Sequence, residues 1–495
     1  VTFGRLLLRN LAFHGLAHTA VLLGAALGTA VLTGALLVGD SLVGSLRERA
    51  DQQRAGVEYA LVSGRFFAAA PSQEAGRSQA GIILRGSISA GEGQSAHHLN
   101  NVTILSGFEL SEFASSGIAV ADTAAIPAHL AEQLSVKIGE PITIRIPIPA
   151  TVPSESLLGQ RDPAQTSMEL SCNIQKILPD NDPASLFQLY PGFSAPRNVF
   201  IPRGLIQEKL DRIFPQSEND ARQRHNSILA AGPIEPVRDS LYKNLRMSDW
   251  DLKWGEHPLL AADEAQAART RTRNIAPKLA SVIDSDHDGT FSASEIRTWR
   301  DQFGYLSLES RRGILEATTA VAALAAADDA HSRAAPTLIY LANSIASGDR
   351  SIPYSIVAAL DPTLAPPLGP FLPPGVERLN DDEIVLTDWA DSPLLNLPVG
   401  SPITVTYFRP ELKDGRFVEA QSTFKLRGYL PLTGRALDPY LTPQFAGVTD
   451  RLSMRDWNPP FPYDNTKMGP RDEKYWREYR TIPKAYVNLA AGRRI

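Results

Sequence analysis

Hydrophobic and polar positions divide this chain into one long apolar run and many short ones. Thr19 to Gly39 (TAVLLGAALGTAVLTGALLVG) is twenty-one residues without a charge. At about 1.5 Å of rise per residue, such a helix covers roughly 30 Å, the hydrocarbon thickness of a bilayer. No other stretch does this. Residues 1–18 form a short amphipathic lead whose His14 and His18 lie one helical turn apart, an interfacial pattern, since no third metal ligand accompanies them. Asp40 to Arg54 keeps helical character with charges on one face, so the helix is expected to rise out of the bilayer as a stalk. Gly24 and Gly28 give the spanning segment a small-xxx-small face suited to packing against another helix.

From Val57 the pattern shortens to strands bounded by Gly, Ser or Asn: VEYALVSGRFF, GIILRGSIS and NVTILSG. Ile118 to Ile146 then reads as strand, helix (His129 to Leu134), tight turn at Gly139, and strand. The phrase returns. IAVAD…LSVKIGEPITI from Ile118 matches IVLTD…LNLPVGSPITV from Ile384, with Asp122 opposite Asp388, Gly139 opposite Gly400 and Pro141 opposite Pro402. Two related strand-helix-strand units in one α/β body are expected, with inserted material between them. Between Ala150 and Asn274 the periodicity is weak; SLFQLYPGF and NVFIPRGLIQEKL suggest a strand or two and a helix.

Composition excludes several classes. With 495 residues there is room for about three domains and a sizeable core. A mean hydropathy of −0.14 excludes a multi-span channel. Lys and Arg total 49 against 54 Asp and Glu, a net charge of −5, with no basic patch dense enough for nucleic acid. The lone Cys172 excludes an intrachain disulfide and reads as a small core residue. Val1 opens the chain in place of Met, and Ile495 follows a basic pair with no terminating element, which reads as a piece of a longer protein.

The most specific local pattern is Asp284 to Glu295, DSDHDGTFSASE. An EF-hand loop places oxygen ligands for Ca²⁺ at positions 1, 3, 5, 7, 9 and 12, with Gly at 6 for the sharp turn. Asp284, Asp286 and Asp288 supply carboxylates, Thr290 a backbone carbonyl, Ser292 a direct or water-mediated contact, and Glu295 the bidentate carboxylate. Phe291 at position 8 offers the apolar contact by which such loops pair. NIAPKLASVID and SASEIRTWRDQF are expected as the flanking helices; no second loop follows the pattern.

Gly39-Asp40-Ser41-Leu42 carries the opening letters of the GDSL hydrolases, and Asp328 to His331 supplies a DxxH. A nucleophilic Ser needs a strand-to-helix turn and a base within reach. Here Ser41 ends a membrane helix, and the Gly-x-Asn-Asp block is missing.

RNLAFHGLAHTAVLLGAALGTAVLTGALLVGDSLVGSLR together with TLIYLANSIASGDRSIPYSIVAALDP resembles an ABC-transporter permease of the MacB/FtsX type. GVTDRLSMRDWNPPFP…DEKYWREYRTIPKAYVNL is similar to large envelope members of that group. The resemblance implies a bacterial inner-membrane protein with a cytoplasmic N-terminus, a spanning helix and a large extracytoplasmic body. It further implies more spanning helices, dimerisation through the spanning helices with a like or unlike partner, and a separate ATPase subunit. The chain has no Gly-Lys-Ser/Thr phosphate loop, so catalysis is expected on that subunit.

The expected fold is α+β: lead 1–18, spanning helix 19–39, stalk 40–56, an extracytoplasmic body over 57–275 and 336–495, and an EF-hand inserted at 276–310. A single-span, membrane-anchored Ca²⁺-binding adhesion or scaffold protein is the alternative, and a tethered GDSL hydrolase using Ser41 a third.

Overall fold

The computed structural model describes residues 2–72, 76–91, 97–110, 122–147, 167–213, 223–255, 257, 259, 275–311, 313–410, 417–444, 447–459 and 462–495. They divide into two units, one holding the described residues up to Leu245 and the other those from Arg246 to Ile495. The division near residue 245 assigns the 276–310 segment to the same unit as the second barrel described below.

The first unit opens with α1 (Phe3–Phe13) and α2 (Gly15–Arg54), which part at His14. At 40 residues α2 is about 60 Å long, so span and stalk are one unbroken rod. Its apolar window is wholly exposed to the surroundings. A left-handed Ala55 stops the helix. There follow β1 (Tyr59–Phe67), β2 (Arg77–Ala90), β3 (His97–Ser106), β4 (Thr123–Pro127), α3 (Ala128–Leu134), β5 (Pro141–Pro147), β6 (Ser167–Leu178), α4 (Pro183–Leu186), β7 (Asn198–Phe200), α5 (Arg203–Ile213), β8 (His225–Ala231) and α6 (Ile234–Asn244).

Six of these strands close on themselves in the order β2-β3-β7-β4-β6-β5, β5 returning to β2. The first half of β2 instead carries β8, and β8 carries β1 at the rim. Alternation in β5 and β6 buries Ile142, Ile144, Ile146, Met168, Leu170, Cys172 and Ile174. Each such burial contributes about 1.5–3 kcal/mol. Closure also requires Gly86, where a Cβ would collide with the carbonyl of Arg145.

The second unit contains β9 (Leu252–Trp254), α7 (Pro277–Ile283), α8 (Ala293–Phe303), β10 (Leu308–Ser310), α9 (Ala317–Asp329), β11 (Leu338–Ser347), β12 (Arg350–Leu360), β13 (Glu383–Asp388), β14 (Pro402–Pro410), β15 (Phe417–Pro431), α10 (Pro470–Tyr479), β16 (Ala485–Asn488) and α11 (Leu489–Gly492). Its barrel closes in the order β11-β12-β16-β13-β15-β14 around Ile345, Ile384, Leu386, Ile403, Val405, Phe424 and Leu426.

The two barrels share one topology. In each, the first two strands form a hairpin, the first pairs antiparallel with the fourth, and the second pairs parallel with the sixth. In each, the third runs parallel to the fifth. Even the irregularity is repeated: the register slips between Ala124 and Ala125 over Gln175, and between Ile384 and Val385 over Arg427. The sequence repeat is therefore real, but it spans a whole six-stranded barrel, and the copies form two units in place of one α/β body.

Two details of the expected repeat are corrected. Ladder bonds place Asp122 opposite Asp382, six residues before Asp388: Asn173 N donates to the Asp122 carbonyl (2.8 Å) and Lys425 N to that of Asp382 (2.7 Å). Ile118 to Ala121 lie outside the described residues. The second copy also has turns where the first has α3, because Pro393 and Pro398 interrupt WADSPLLNLPVG while AHLAEQLSVKIG has no proline.

Candidate metal centre and the groups around it

The expected flanking helices exist as α7 and α8, joined by the loop from Asp284 to Ser292. His287 (φ 59°) and Gly289 (φ 86°) turn the chain through the left-handed region. The loop folds around its own carboxylates. Asp284, buried, accepts from the amides of Asp288 (3.2 Å) and Gly289 (3.1 Å). Asp286 accepts from the Asp288 amide (3.2 Å), and Asp288 from the amide and hydroxyl of Thr290 (both 2.7 Å).

Glu295 has two duties. As the third residue of α8 it completes a capping box, its Oε2 accepting from Ser292 N (2.9 Å) and Oγ (2.7 Å). Its Oε1 accepts from Ser285 N and Oγ (both 2.6 Å). Those hydrogen bonds, led by the Ser285 hydroxyl, hold its carboxyl down at about 2.

Oxygens of Asp284, Asp286 and Glu295 lie within 4.8 Å of one another. Converging carboxylates repel, and an all-oxygen cradle matches what a hard divalent cation demands. Of the four expected carboxylates, these three are brought together. Asp288 and Thr290 are engaged with each other, and Ser292 serves as the helix cap.

The helices around the loop pack within their own unit. Phe291, expected as a contact to a second loop, is buried with Leu279, Ile283, Ile296 and Trp299 against Leu437 and Ile482, which flank the barrel strands. Beyond α8, Tyr305 donates to Asp438 Oδ2 (2.8 Å), and Arg435 pairs with the same carboxylate while lying 4.0 Å over the Tyr305 ring. His257 sits between Trp299 (4.9 Å) and Tyr440 (4.3 Å), its Nε2 3.7 Å from Asp438 Oδ1. Burial, partly opposed by Asp438, pushes the His257 imidazole down to about 4. Sequence reading missed this cluster, because its members come from segments far apart in the chain. The only local sign was Asp438 before Pro439, a helix-cap pair, and Asp438 Oδ1 does accept from Tyr440 N (2.8 Å).

At the other end of the chain, α2 is fastened to the first barrel's unit through Gln53. Its Nε2 donates to Gly192 O (2.8 Å), its Oε1 accepts from Gly192 N (3.1 Å), and its own carbonyl accepts from Gln188 N (2.8 Å). Arg49 adds a bond to Phe193 O (3.1 Å). Gln53 is buried, unlike the rest of α2.

Ser41 lies inside unbroken α2, exposed, and away from any strand-to-helix turn. Asp328 and His331 close α9, an exposed helix end. His14 and His18 stand edge to face at 6.4 Å on exposed helices. Cys172 is buried, and burial pushes its thiol up to about 11, which suits a core residue. Comparison with protein-family models and with curated proteins finds no match to this chain.

Proposed function

We propose that this chain is the permease subunit of an ABC transporter, in which a separate ATPase moves the spanning helices and α2 carries that motion to the barrel body outside. The observation that carries the reading is the continuity of α2. One 40-residue helix holds an exposed apolar window at one end and the buried Gln53 clamp at the other. A rod fixed at both ends passes on displacement as a rigid body.

The loop from Asp284 to Glu295 is the Ca²⁺ site of this reading, a structural clip in the second barrel's unit. Phe291 and Trp299 seal it onto the segment holding Leu437 and Ile482. The single-span Ca²⁺-binding scaffold shares these features and differs in lacking a nucleotide-hydrolysing partner.

The test is purification of the chain from its native membrane in mild detergent. An accompanying ATPase, with hydrolysis lost when the partner is stripped away, supports the permease. A chain that stays in the membrane after alkaline washing and carries no nucleotide-binding partner supports the scaffold. Release by the wash overturns both.

A further inference from the structure

His129, the second residue of α3, has both ring nitrogens against acceptors. Its Nδ1 lies 2.7 Å from Oδ1 of Asp180, in the turn after β6, and its Nε2 lies 3.0 Å from the Pro196 carbonyl. The same Asp180 oxygen accepts from the His129 amide (3.0 Å). A carbonyl and an ionised carboxylate only accept, so both ring bonds exist together only when the imidazole carries two protons. Burial raises the Asp180 carboxyl, but the bonds from the His129 amide and ring outweigh it and hold the group below its ordinary value, so it stays a carboxylate at neutral pH. Pro196 belongs to the segment that holds α2. Four residues before it, Gly192 makes two bonds to the Gln53 side chain, and Phe193 O accepts from Arg49. Gln188 Nε2 donates to Ser194 O (3.0 Å), which ties the segment together. Its far end is fixed to β3, where Thr103 N donates to Arg197 O (2.8 Å) and Arg197 to Asn100 O (3.0 Å). Between these two ends His129 supplies a side-chain anchor.

We propose that His129 is a proton-operated latch on the loop that clamps α2: with two protons the ring holds Pro196, and with one it lets go. The neutral ring keeps its proton on Nδ1, where the carboxylate is the stronger acceptor, and Nε2 then presents a lone pair to the Pro196 carbonyl. Histidine is the side chain that makes such a change between about pH 5 and pH 8. Other charged groups on the neighbouring elements do not take the place of Asp180. Glu169 is bonded to Arg145, and Asp182 accepts from the Ala184 amide. His97, His98, Glu132 and Lys176 make no bond to the ring. On the permease reading, on which this consequence rests, acid outside the membrane tightens the joint between the α2 rod and the first barrel's unit.

The experiment follows amide exchange at Gln188 and Gly192, both bonded to Gln53, in the full chain in mild detergent, each rate divided by its unstructured value at the same pH. Protection is expected to fall by about three- to tenfold between about pH 5.5 and pH 8, the equivalent of one lost bond, while β5 and β6 do not change. In His129→Gln, protection should be low and independent of pH. In Asp180→Ala the neutral ring is free to put its one proton on Nε2, so protection should stay at the parent's acid level as pH rises. A parent unaffected by pH overturns the latch. So does a pH response that persists in either variant, or one shared by β5 and β6. Loss of the chain from washed membranes, or the absence of an ATPase partner, removes the permease reading and leaves this measurement standing.

Discussion

Gly139 and Gly400 hold the same place in two different barrels. The amide of the first donates to the Ile174 carbonyl and that of the second to the Leu426 carbonyl, both at 2.7 Å, with φ of 92° and 89°. A Cβ at either position meets nothing within 4 Å, so an alanine there is opposed by backbone conformation alone. Gly139→Ala and Gly400→Ala are each expected to cost about 1–2 kcal/mol. Sitting in separate units, the two losses should add within about 0.5 kcal/mol in the double variant. Urea titrations of the three variants check this; a cost at one site only would mean that the turns are not equivalent.

Calcium titrated calorimetrically into the chain should bind near one equivalent; on the proposed extracytoplasmic reading an affinity of about 10⁻⁴–10⁻³ M suffices for a clip. Asp284→Ala and Glu295→Gln should each abolish the heat at millimolar Ca²⁺. Both Glu295 oxygens already cap α8 and hold Ser285, so binding must take the carboxylate from those donors. Unchanged affinity in Glu295→Gln would remove the assigned ligand set.

Acid should weaken the second unit before it affects Glu295. The folded His257 imidazole stays neutral down to about 4, whereas its ordinary value is 6.5. Between those values the unfolded chain binds the extra proton. Stability is thus full above 6.5 and falls as pH drops through the window, by on the order of 3 kcal/mol. Glu295, held at about 2 against an ordinary 4.5, adds its loss only below 4.5. Melting curves from pH 7 to 4 should show a slope that His257→Phe flattens.

Lys484 and Asn198 occupy equivalent positions beside the sixth strand of each barrel, and both face the helix that precedes it. Asn198 Nδ2 donates to the carbonyls of Ala184 and Phe187, both at 2.9 Å. Lys484 is buried over the rings of Tyr475 (4.5 Å) and Trp389 (5.2 Å), and burial pushes its ammonium down to about 8. Lys484→Met removes this desolvated charge but leaves buried Asp472, which favours the ammonium, without it, so only a small net gain is expected at pH 7. The unfolded lysine titrates near 10.5, so the parent recovers stability between about 8 and 10.5 and the gain from Met should shrink there. A gain that does not change with pH would exclude a charged, buried Lys484.

Removing the Gln53 amide should loosen the end of α2 without unfolding the barrel. In Gln53→Leu, amide exchange at Gly192, whose N–H bond to the side chain is lost while the backbone bond from Gln188 is kept, is expected to accelerate by about tenfold, the equivalent of roughly 1–1.5 kcal/mol. Exchange in β5 and β6 should not change; an unaltered rate at Gly192 would show that the clamp does not hold the helix.

Local order along the chain encodes one part of this fold. Twenty-one uncharged residues specify the long helix. The spacing of Asp284, Asp286, Gly289 and Glu295 specifies a loop that turns on itself and caps α8. The Gly-Pro phrases at Gly139 and Gly400 specify equivalent turns, because only a residue free to take positive φ makes them cheaply. Tertiary structure decided the rest. Barrel closure depends on β2 meeting β5 and β11 meeting β14, contacts between segments about sixty residues apart that no local period records. The six-residue error at Asp122 arose because several frames of an apolar strand look alike, and only the ladder to Asn173 and Lys425 fixes the frame. The cluster of His257, Tyr305, Arg435 and Asp438 is likewise invisible along the chain. Its charges are tolerable inside the unit only because folding brings each beside a partner.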